Sequence, residues 1–340
     1  MHSYQPDALR ASYHTMEHGE PRLRLIRSAC TAAEQAKDFE SALLFHHDLI
    51  QESVFSGDRY QALIDFPQYM AIYEAHPELE EAYAWQTLWI FKWIVEASVE
   101  FYQIPKSQVL QWFLAFRKEL AKHGYSLKPF YEKRAIFFSY YDRAKLRLDY
   151  GDFLAAPRDE LSDGEPEEWN TQVRWELLFG HYEKAMRAAE HLFRNRMFTN
   201  EVPASTYGYL LTDACIRQDT DAADHYAALL RPYCDGERYR MEQLGLLFCY
   251  DAQHHPEEGL AFLRKQEALR KGSHNPFLCY WFDHGASVLL RAAAKSGVDE
   301  APDALLAKAA AYDANARALA AQFDARNGSD FFTARCEQQY

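Results

Sequence analysis

The chain contains 340 residues, and its 50 acidic against 37 basic side chains give a formal net charge of −13 at neutral pH. A charge of this sign repels phosphate backbones, so nucleic acid is not an expected partner. The hydrophobic fraction of 48% is enough for a core and excludes intrinsic disorder as the default state. Glycine and proline number only 14 and 13. Because sheet-rich proteins use these residues in their many turns, the composition predicts an all-α protein.

The expected location follows from the cysteines and the N-terminus. The six cysteines form no Cys-x-x-Cys pair, and Met1-His2-Ser3-Tyr4 lacks the basic and apolar regions of a signal peptide. These features predict reduced thiols and a cytoplasmic protein. The most apolar stretch, 83–99, is too short for a membrane span and is interrupted by Gln86, Lys92 and Glu96. No membrane association is expected.

Apolar residues recur at helical spacing along most of the chain, between short breakers. The pattern predicts helices near residues 21–36, 39–55, 58–75, 79–103, 105–123, 127–149, 166–179, 182–196, 203–217, 219–232, 236–253, 256–270, 275–296 and 302–326. Prolines stand at expected helix starts, and glycines at expected helix ends, namely Gly124, Gly151, Gly180 and Gly297. Because the connections are short, consecutive helices are predicted to be antiparallel neighbours.

The organisation into domains has two interpretations. The residues 1–130 are predicted as aromatic-rich, divergent helical hairpins, and 131–340 as more regular repeats that end in an Ala-rich capping helix. The alternative is one continuous array. The acidic segment 156–165, which contains Pro157 and Gly164, is the one long connection. It is either a subdomain boundary or a surface loop within an array.

Four short segments align without gaps at expected turns between two helices. They are Lys-Asp-Phe-Glu-Ser-Ala ending at Ala42, Gly-His-Tyr-Glu-Lys-Ala ending at Ala185, Gln-Asp-Thr-Asp-Ala-Ala ending at Ala223, and His-His-Pro-Glu-Glu-Gly ending at Gly259; a fifth, Gly-Asp-Phe-Leu-Ala-Ala, ends at Ala156. The last three of the four recur about every 36 to 38 residues, a period typical of helical solenoids. A small residue early in the second helix lets the two helices of a hairpin approach closely.

These positions resemble the tetratricopeptide repeat, which has an aromatic residue early in its first helix, glycine and an aromatic at the turn, and alanine in its second helix. One segment matches with Trp169, Gly180, Tyr182 and Ala185, and two others with Tyr140, Ala144, Gly151, Phe153 and Ala156 and with Tyr207, Ala214, Ala223, Ala227 and Pro232. The resemblance implies a right-handed superhelical stack of antiparallel helical hairpins, a tetratricopeptide-like α-solenoid. Its groove would be lined by the first helix of each hairpin.

Three clusters in the sequence are candidate sites. Trp85, Trp89 and Trp93 recur at helical spacing, which predicts a stripe buried between helices, with an aromatic binding wall as the alternative. His46-His47-Asp48 with Glu52, and His254-His255, lack the ligand spacing of known metal motifs. The sequence has no nucleophile elbow, phosphate-binding loop or dinucleotide fingerprint. We therefore expect no metal, no cofactor and no catalytic residue.

The resemblance also implies where a ligand would bind. In the aligned register, the groove positions are Tyr141 and Lys145, then Asn170 and Arg174, then Gly208 and Thr212. Lys and Arg bind carboxylates, and Asn holds backbone amides and carbonyls. This predicts a peptide site made of Tyr141, Lys145, Asn170, Arg174 and Thr212. Its ligand would be an acidic peptide or one with a free C-terminal carboxylate.

The leading functional interpretation is a non-catalytic scaffold or adaptor that binds a protein or peptide in this groove. A regulatory protein that senses a peptide is the first alternative, and an all-helical enzyme with a site between helices is the second. A groove with Asn and basic residues favours peptide binding, whereas a pocket with convergent His, Asp and Glu favours an enzyme. The oligomeric state is left open.

Overall fold

The protein is described by a computed structural model that covers residues 4–56, 59–297 and 302–337. Helices account for 82% of the described residues, and no strand occurs among them. The prediction of an all-α fold is therefore confirmed. The predicted start of one helix at residue 58 lies outside the described residues.

The chain divides into two compact units, Met1–Ser162 (unit 1) and Asp163–Tyr340 (unit 2). Unit 1 contains α1 (Pro6–His14), α2 (Glu20–Ala36), α3 (Phe39–Ser56), α4 (Arg59–Ala75), α5 (Glu80–Ala97), α6 (Lys106–Lys122), α7 (Lys128–Phe138) and α8 (Arg143–Ala155). Unit 2 contains α9 (Glu165–Leu178), α10 (Tyr182–Arg194), α11 (Ala204–Ile216), α12 (Thr220–Cys234), α13 (Met241–His254), α14 (Pro256–Lys271), α15 (Pro276–Ser296), α16 (Pro302–Asn327) and α17 (Phe331–Glu337). The division falls within the long connection 156–165. The boundary predicted at residue 130 stays a prediction.

Three of the aligned turns share one backbone geometry. Lys37, Gly180 and Gln218 each follow a first helix and adopt positive φ angles of 56°, 77° and 58°. In each turn the next amide donates to a carbonyl five residues back, as at Asp38 N to Ala33 O (3.0 Å). This is the Schellman arrangement that ends a helix and reverses the chain. The repeated sequence pattern therefore corresponds to a repeated turn.

The small residues of these turns pack as the repeat requires. Ala42, Ala185 and Ala223 are each at most 1% exposed, and Gly259 is buried on the fourth turn. A Cβ on Gly259 would come within 2.9 Å of Leu289 on α15. Larger side chains at these positions would push the paired helices apart.

The fifth aligned segment, in contrast, does not lie at a turn. The helix predicted over 127–149 is broken between Phe138 and Arg143, where Asp142 accepts a hydrogen bond from Lys145 N (3.0 Å) and caps α8. Gly151 then lies inside α8 and does not end a helix. The prediction was wrong here because the break contains neither Gly nor Pro.

In unit 2 the helices pair as hairpins, α9 with α10, α11 with α12, α13 with α14 and α15 with α16. The first helices also pack on one another, α9 on α11, α11 on α13 and α13 on α15. We call these four the first-helix layer. Among the described residues, no two of the second helices α10, α12, α14 and α16 pack together to a comparable extent.

Candidate functional site

The predicted groove residues of unit 1 do not lie on a first helix. Tyr141 is in the turn between α7 and α8, and the Lys106 ammonium lies 4.0 Å from the centroid of its ring. Lys145 is in the first turn of α8, the second helix of its hairpin, and pairs with Asp142 (3.1 Å). The assumed register was wrong at this hairpin because the helix breaks after Phe138.

The predicted residues of unit 2 lie on the first-helix layer. Asn170 and Arg174 are one turn apart on α9, and Thr212 is on α11. The Thr206 hydroxyl of α11 donates to Asn170 Oδ1 (2.7 Å) and joins the two helices through buried side chains. The Thr212 hydroxyl donates to the carbonyl of Gly208 (2.9 Å) within its own helix. The structure thus brings α9 and α11 together at Asn170 and leaves Thr212 in a local bond.

The guanidinium of Arg174 lies between aromatic rings. Its central carbon is 4.4 Å from the ring centroid of Trp175 and 5.4 Å from that of Tyr209 on α11. Contacts of this kind are worth about 0.5–2 kcal/mol each, depending on solvation. They restrict the side chain, so that less conformational freedom is lost when its donors bind an anion.

Two further groups of unit 2 interact with this arginine electrostatically. Burial raises the pKa of the Tyr209 hydroxyl, and Arg174 lowers it. Burial also raises the pKa of Glu242 on α13, whereas Arg174 and Arg335 of α17 lower it. Tyr209 and Glu242 both keep part of their surface accessible to solvent. Arg174 on α9 is therefore within electrostatic reach of Tyr209 on α11 and of Glu242 on α13.

Sequence reasoning missed Tyr209, Glu242 and Arg335. Tyr209 and Glu242 occupy first helices of the repeat, so helical phase alone could have found them. Arg335 belongs to α17, a seven-residue helix that the periodicity did not predict. Its guanidinium lies 4.5 Å from the ring centroid of Trp281 on α15. The pKa of Glu242 therefore responds to arginines from the first and the last helix of unit 2.

A cavity of about 450 Å³ in unit 1 is lined by histidines and acids. Its walls include His14 and His18 at the end of α1 and after it, and Asp48, Glu52 and Phe55 on α3. Asp48 and Glu52 lie one turn apart on α3 and belong to the cluster whose spacing did not predict a metal site. The helix α1, which the sequence did not predict, covers them.

Asp48 accepts hydrogen bonds from three neighbouring side chains. Arg10 donates through Nε (2.9 Å) and Nη2 (3.2 Å), and the Tyr13 hydroxyl donates at 2.7 Å. His47 Nδ1 lies 3.2 Å away. Burial raises the pKa of Asp48, but hydrogen bonds from His47, Arg10 and Tyr13 outweigh burial and hold it far below its ordinary value. Asp48 is therefore a permanent anion that fastens α1 to α3.

Glu52 is engaged in a similar way, one turn further along α3. Its carboxylate is 2.8 Å from His18 Nδ1, accepts from the backbone amide of Gly19 (3.0 Å), and lies 3.2 Å from Arg22 Nε. Gly19 has a φ of 138°, which favours glycine and turns its amide toward the acid. The two acids hold His14 and His18 at the cavity mouth, where both rings remain partly exposed.

The tryptophan stripe is not buried as predicted. Trp85 is 43% exposed, and Trp89 and Trp93 are half-buried, whereas Trp112, Phe113 and Phe116 on α6 are buried. The apolar face that α5 packs into the core consists instead of Leu88, Ile90, Phe91, Ile94 and Val95. The prediction failed because α5 is apolar around most of its circumference, so periodicity could not select the buried face.

Along this stripe the rings contact one another. The centroids of Trp85 and Trp89 are 5.7 Å apart, and those of Trp93 and Phe55 are 5.5 Å apart. Phe55 also lines the cavity of unit 1. The Lys92 ammonium lies 3.6 Å from the ring centroid of Trp89 and donates to the carbonyl of Leu161 (2.7 Å). The stripe therefore also holds a buried lysine.

No protein-family model matches the chain, and no curated protein or solved structure is significantly similar to it. None of the helices in the described ranges is long and apolar enough to cross a membrane. The function of the protein must therefore be inferred from the arrangement of its own side chains.

Proposed function

We propose that this protein is a non-catalytic peptide-binding scaffold whose ligand binds to the first-helix layer of unit 2. The observation that carries the proposal is the junction of α9 and α11, where Asn170, Arg174 and Tyr209 stand together. These residues belong to successive repeats, and Arg174 also interacts electrostatically with Glu242 on α13. A ligand that lies along the layer would touch several repeats at once, as in other helical-repeat proteins.

The packing of unit 2 supports a concave first-helix layer. Its first helices pack on one another, whereas the second helices do not do so to a comparable extent among the described residues. A stack in which one layer is closer together curves toward that layer. This is the curvature of the tetratricopeptide-like, right-handed superhelix that the sequence resembles, and we propose that arrangement for unit 2.

The guanidinium selects the ligand. Arg174 is held against the rings of Trp175 and Tyr209, and a guanidinium held in this way favours an anionic ligand. A carboxylate can accept two parallel hydrogen bonds from a guanidinium, each worth about 1.5–3 kcal/mol when charge-assisted. The proposed ligand is an acidic peptide or a peptide with a free C-terminal carboxylate.

Asn170 supplies the complementary polar group. Its Oδ1 accepts the hydroxyl hydrogen of Thr206, and a hydrogen bond from its side chain to the Tyr209 hydroxyl lowers the pKa of that tyrosine. The amide has two hydrogens, so the second can donate to a peptide carbonyl. Arg174 would therefore determine the charge of the ligand, and Asn170 its register along the layer.

Peptide libraries test this proposal directly. The full-length protein is exposed to two matched random libraries, one with free C-terminal carboxylates and one with C-terminal amides, and bound peptides are identified and measured by fluorescence anisotropy. We expect Arg174→Ala to weaken binding at least about tenfold, in line with the loss of one charge-assisted contact. Binding should also weaken with added salt. The amidated library distinguishes a terminal carboxylate from acidic side chains.

Arg217→Ala is the matched control. Arg217 belongs to the same unit, lies 4.1 Å from the ring centroid of Tyr182 and pairs with Asp213 (2.7 Å). It therefore resembles Arg174 in chemistry but not in position. Equal affinity of wild type and Arg174→Ala, or equal weakening by both variants, would contradict the proposal.

The cavity of unit 1 supports a second candidate, an enzyme that transfers protons through its histidines. The favouring observation is the pairing of His14 with Asp48 (3.4 Å) and of His18 with Glu52 (2.8 Å) around one cavity, since acids orient catalytic histidines. We rank the enzyme second because Asp48 forms hydrogen bonds with Arg10, Tyr13 and His47. These bonds give Asp48 a structural role. Peptide binding that survives His14→Gln and His18→Gln would favour the scaffold.

A peptide-sensing regulator would bind its peptide at the same junction of α9 and α11. It differs from a scaffold in its response, because peptide binding must then change the N-terminal helices. Hydrogen exchange measured with and without bound peptide separates the two: protection confined to unit 2 indicates a scaffold, and altered exchange in unit 1 indicates a regulator.

A further inference from the structure

The antiparallel hairpin of α5 and α6 brings three possible metal ligands together at one end. Glu80 is the first residue of α5, and Glu119 lies in the last turn of α6, one helical turn before His123. Spacing of four residues places Glu119 and His123 on the same face of the helix. Among the described residues, this is the only group of three such side chains with ligand atoms within 4.8 Å of one another.

The distances in this cluster suit a metal ion. His123 Nε2 lies 3.2 Å from Glu80 Oε1 and 3.6 Å from Glu119 Oε2. Zinc bonds to nitrogen and oxygen are about 2.0–2.2 Å long, so neighbouring ligand atoms of a tetrahedral ion lie about 3.3–3.6 Å apart. The two carboxylates therefore already approach the imidazole at the spacing of ligands that share one ion.

The hydrogen bonding of the cluster is incomplete. Glu119 Oε2 and His123 Nε2 are both inaccessible to solvent, and neither makes a hydrogen bond. His123 Nε2 lies 3.2 Å from Glu80 Oε1, which is close enough for a hydrogen bond. The angle between the two groups must therefore be unsuitable for a hydrogen bond. Buried polar atoms without partners cost about 1–3 kcal/mol each. An ion between these atoms would satisfy both.

A fourth polar group stands beside the cluster. Tyr73 on α4 is only 4% exposed, and its buried hydroxyl has no hydrogen-bond partner. Burial raises the pKa of this hydroxyl, the charges of Glu119 and Glu80 raise it further, and Thr87 lowers it. Tyr73 is therefore within electrostatic reach of the same two carboxylates, on a third helix.

We propose that Glu80, Glu119 and His123 bind a divalent first-row transition-metal ion, for which Zn²⁺ is the best match. Imidazole nitrogen and carboxylate oxygen are both ligands of Zn²⁺, and a water molecule would complete the tetrahedron. The ion would fasten the start of α5 to the end of α6. The site lies in unit 1 and is independent of the peptide site proposed in unit 2.

Lys122 competes for one of the ligands. Its ammonium lies 2.6 Å from Glu80 Oε1, on a side chain that is 45% exposed. Glu80 must give up its ion pair with Lys122 before it can bind the metal ion. The lysine therefore lowers the metal affinity but does not prevent binding. Removal of Lys122 should therefore strengthen metal binding.

Cobalt and zinc titrations test the site. The full-length protein is freed of metal with a chelator and titrated with Co²⁺, whose visible absorption reports tetrahedral coordination, and with Zn²⁺ by calorimetry. We expect one equivalent to bind, and we expect Glu119→Gln and His123→Gln to weaken binding at least about tenfold, since even outer-sphere changes cost about 10–100-fold. Circular dichroism verifies that each variant remains helical.

His181→Gln is the matched control, because His181 also pairs with a glutamate, Glu176, at 2.6 Å, but belongs to no group of three ligands among the described residues. It should bind metal as wild type does. Lys122→Ala should bind more tightly than wild type, and its exposed position leaves folding intact. The proposal is overturned if wild type binds no metal, if the Glu119 and His123 variants bind as tightly as wild type, or if Lys122→Ala leaves the affinity unchanged.

Discussion

The main chains of Gly245 on α13 and Gly285 on α15 are in direct contact in unit 2. A Cβ on Gly285 would overlap the backbone oxygen, Cα and carbonyl carbon of Gly245, and a Cβ on Gly245 would overlap the backbone of Trp281. The two helices therefore touch through their main chains. This contact sets the spacing of the first-helix layer next to Glu242, which precedes Gly245 by less than one turn.

Gly285→Ala is expected to destabilise unit 2. The added methyl group meets backbone atoms, which cannot turn aside as a flexible side chain would, so α13 and α15 must separate at a cost of at least about 1–3 kcal/mol. Urea denaturation measures the loss. Gly151→Ala is the control, because Gly151 lies inside α8 with open space around it and alanine there should stabilise by roughly 0.5–1 kcal/mol. Similar effects of the two substitutions would refute the close contact.

Asp48→Asn is expected to loosen α1 from α3 in unit 1. The carboxylate is 5% exposed and accepts from Arg10 and Tyr13, and breaking a buried ion pair on one side costs about 3–5 kcal/mol. Because the folded pKa of Asp48 is depressed, its contribution is complete above the unfolded pKa of about 3.9 and is lost at lower pH. The gap in unfolding free energy between wild type and variant should be constant from pH 7 to 5 and shrink by pH 3. A gap that is absent at pH 7 would contradict the assignment.

His284 makes unit 2 sensitive to mild acid. Burial, followed by the charge of Arg335, lowers its pKa from 6.5 to about 4. Between these pH values His284 is protonated in the unfolded chain but not in the folded protein. The free energy of unfolding therefore falls as the pH drops from about 6.5 toward 4. A shift of this size corresponds to about 3 kcal/mol. The unfolding free energy of wild type minus that of His284→Gln should decrease as the pH falls from about 6.5 to 4. A difference that stays constant over this range would contradict the lowered pKa.

Trp89→Ala should destabilise the chain through Lys92 more than through lost burial. Trp89 is only half-buried, but its ring covers the ammonium of a lysine that is 2% exposed. A desolvated cation–π contact is worth about 2 kcal/mol or more, which thermal and urea denaturation can detect. Trp85→Ala removes a more exposed ring of the same stripe and should cost less than about 1 kcal/mol. Equal losses would show that the contact between Trp89 and Lys92 contributes no measurable stability.

Local features of the sequence determined the helices and several of their turns. Gly180 and Gly297 end helices with positive φ angles, because glycine adopts this conformation without steric cost. The alignment of Ala42, Ala185 and Ala223 predicted residues that are indeed buried at the hairpins. These properties depend on neighbours within a few residues, so composition, breakers and period were sufficient to find them.

The tertiary structure decided which faces meet. Periodicity placed Trp89 on a face of α5 but could not show that α5 packs its Leu88 and Phe91 side inward. The sequence predicted Asn170 and Arg174 as neighbours on a first helix, whereas Tyr209, Glu242 and Arg335 reach them only through packing of α11, α13 and α17. Glu80 joins Glu119 and His123 because one hairpin reverses the chain. Contacts between distant segments depend on how helices pack, and a pattern within one helix does not specify its neighbour.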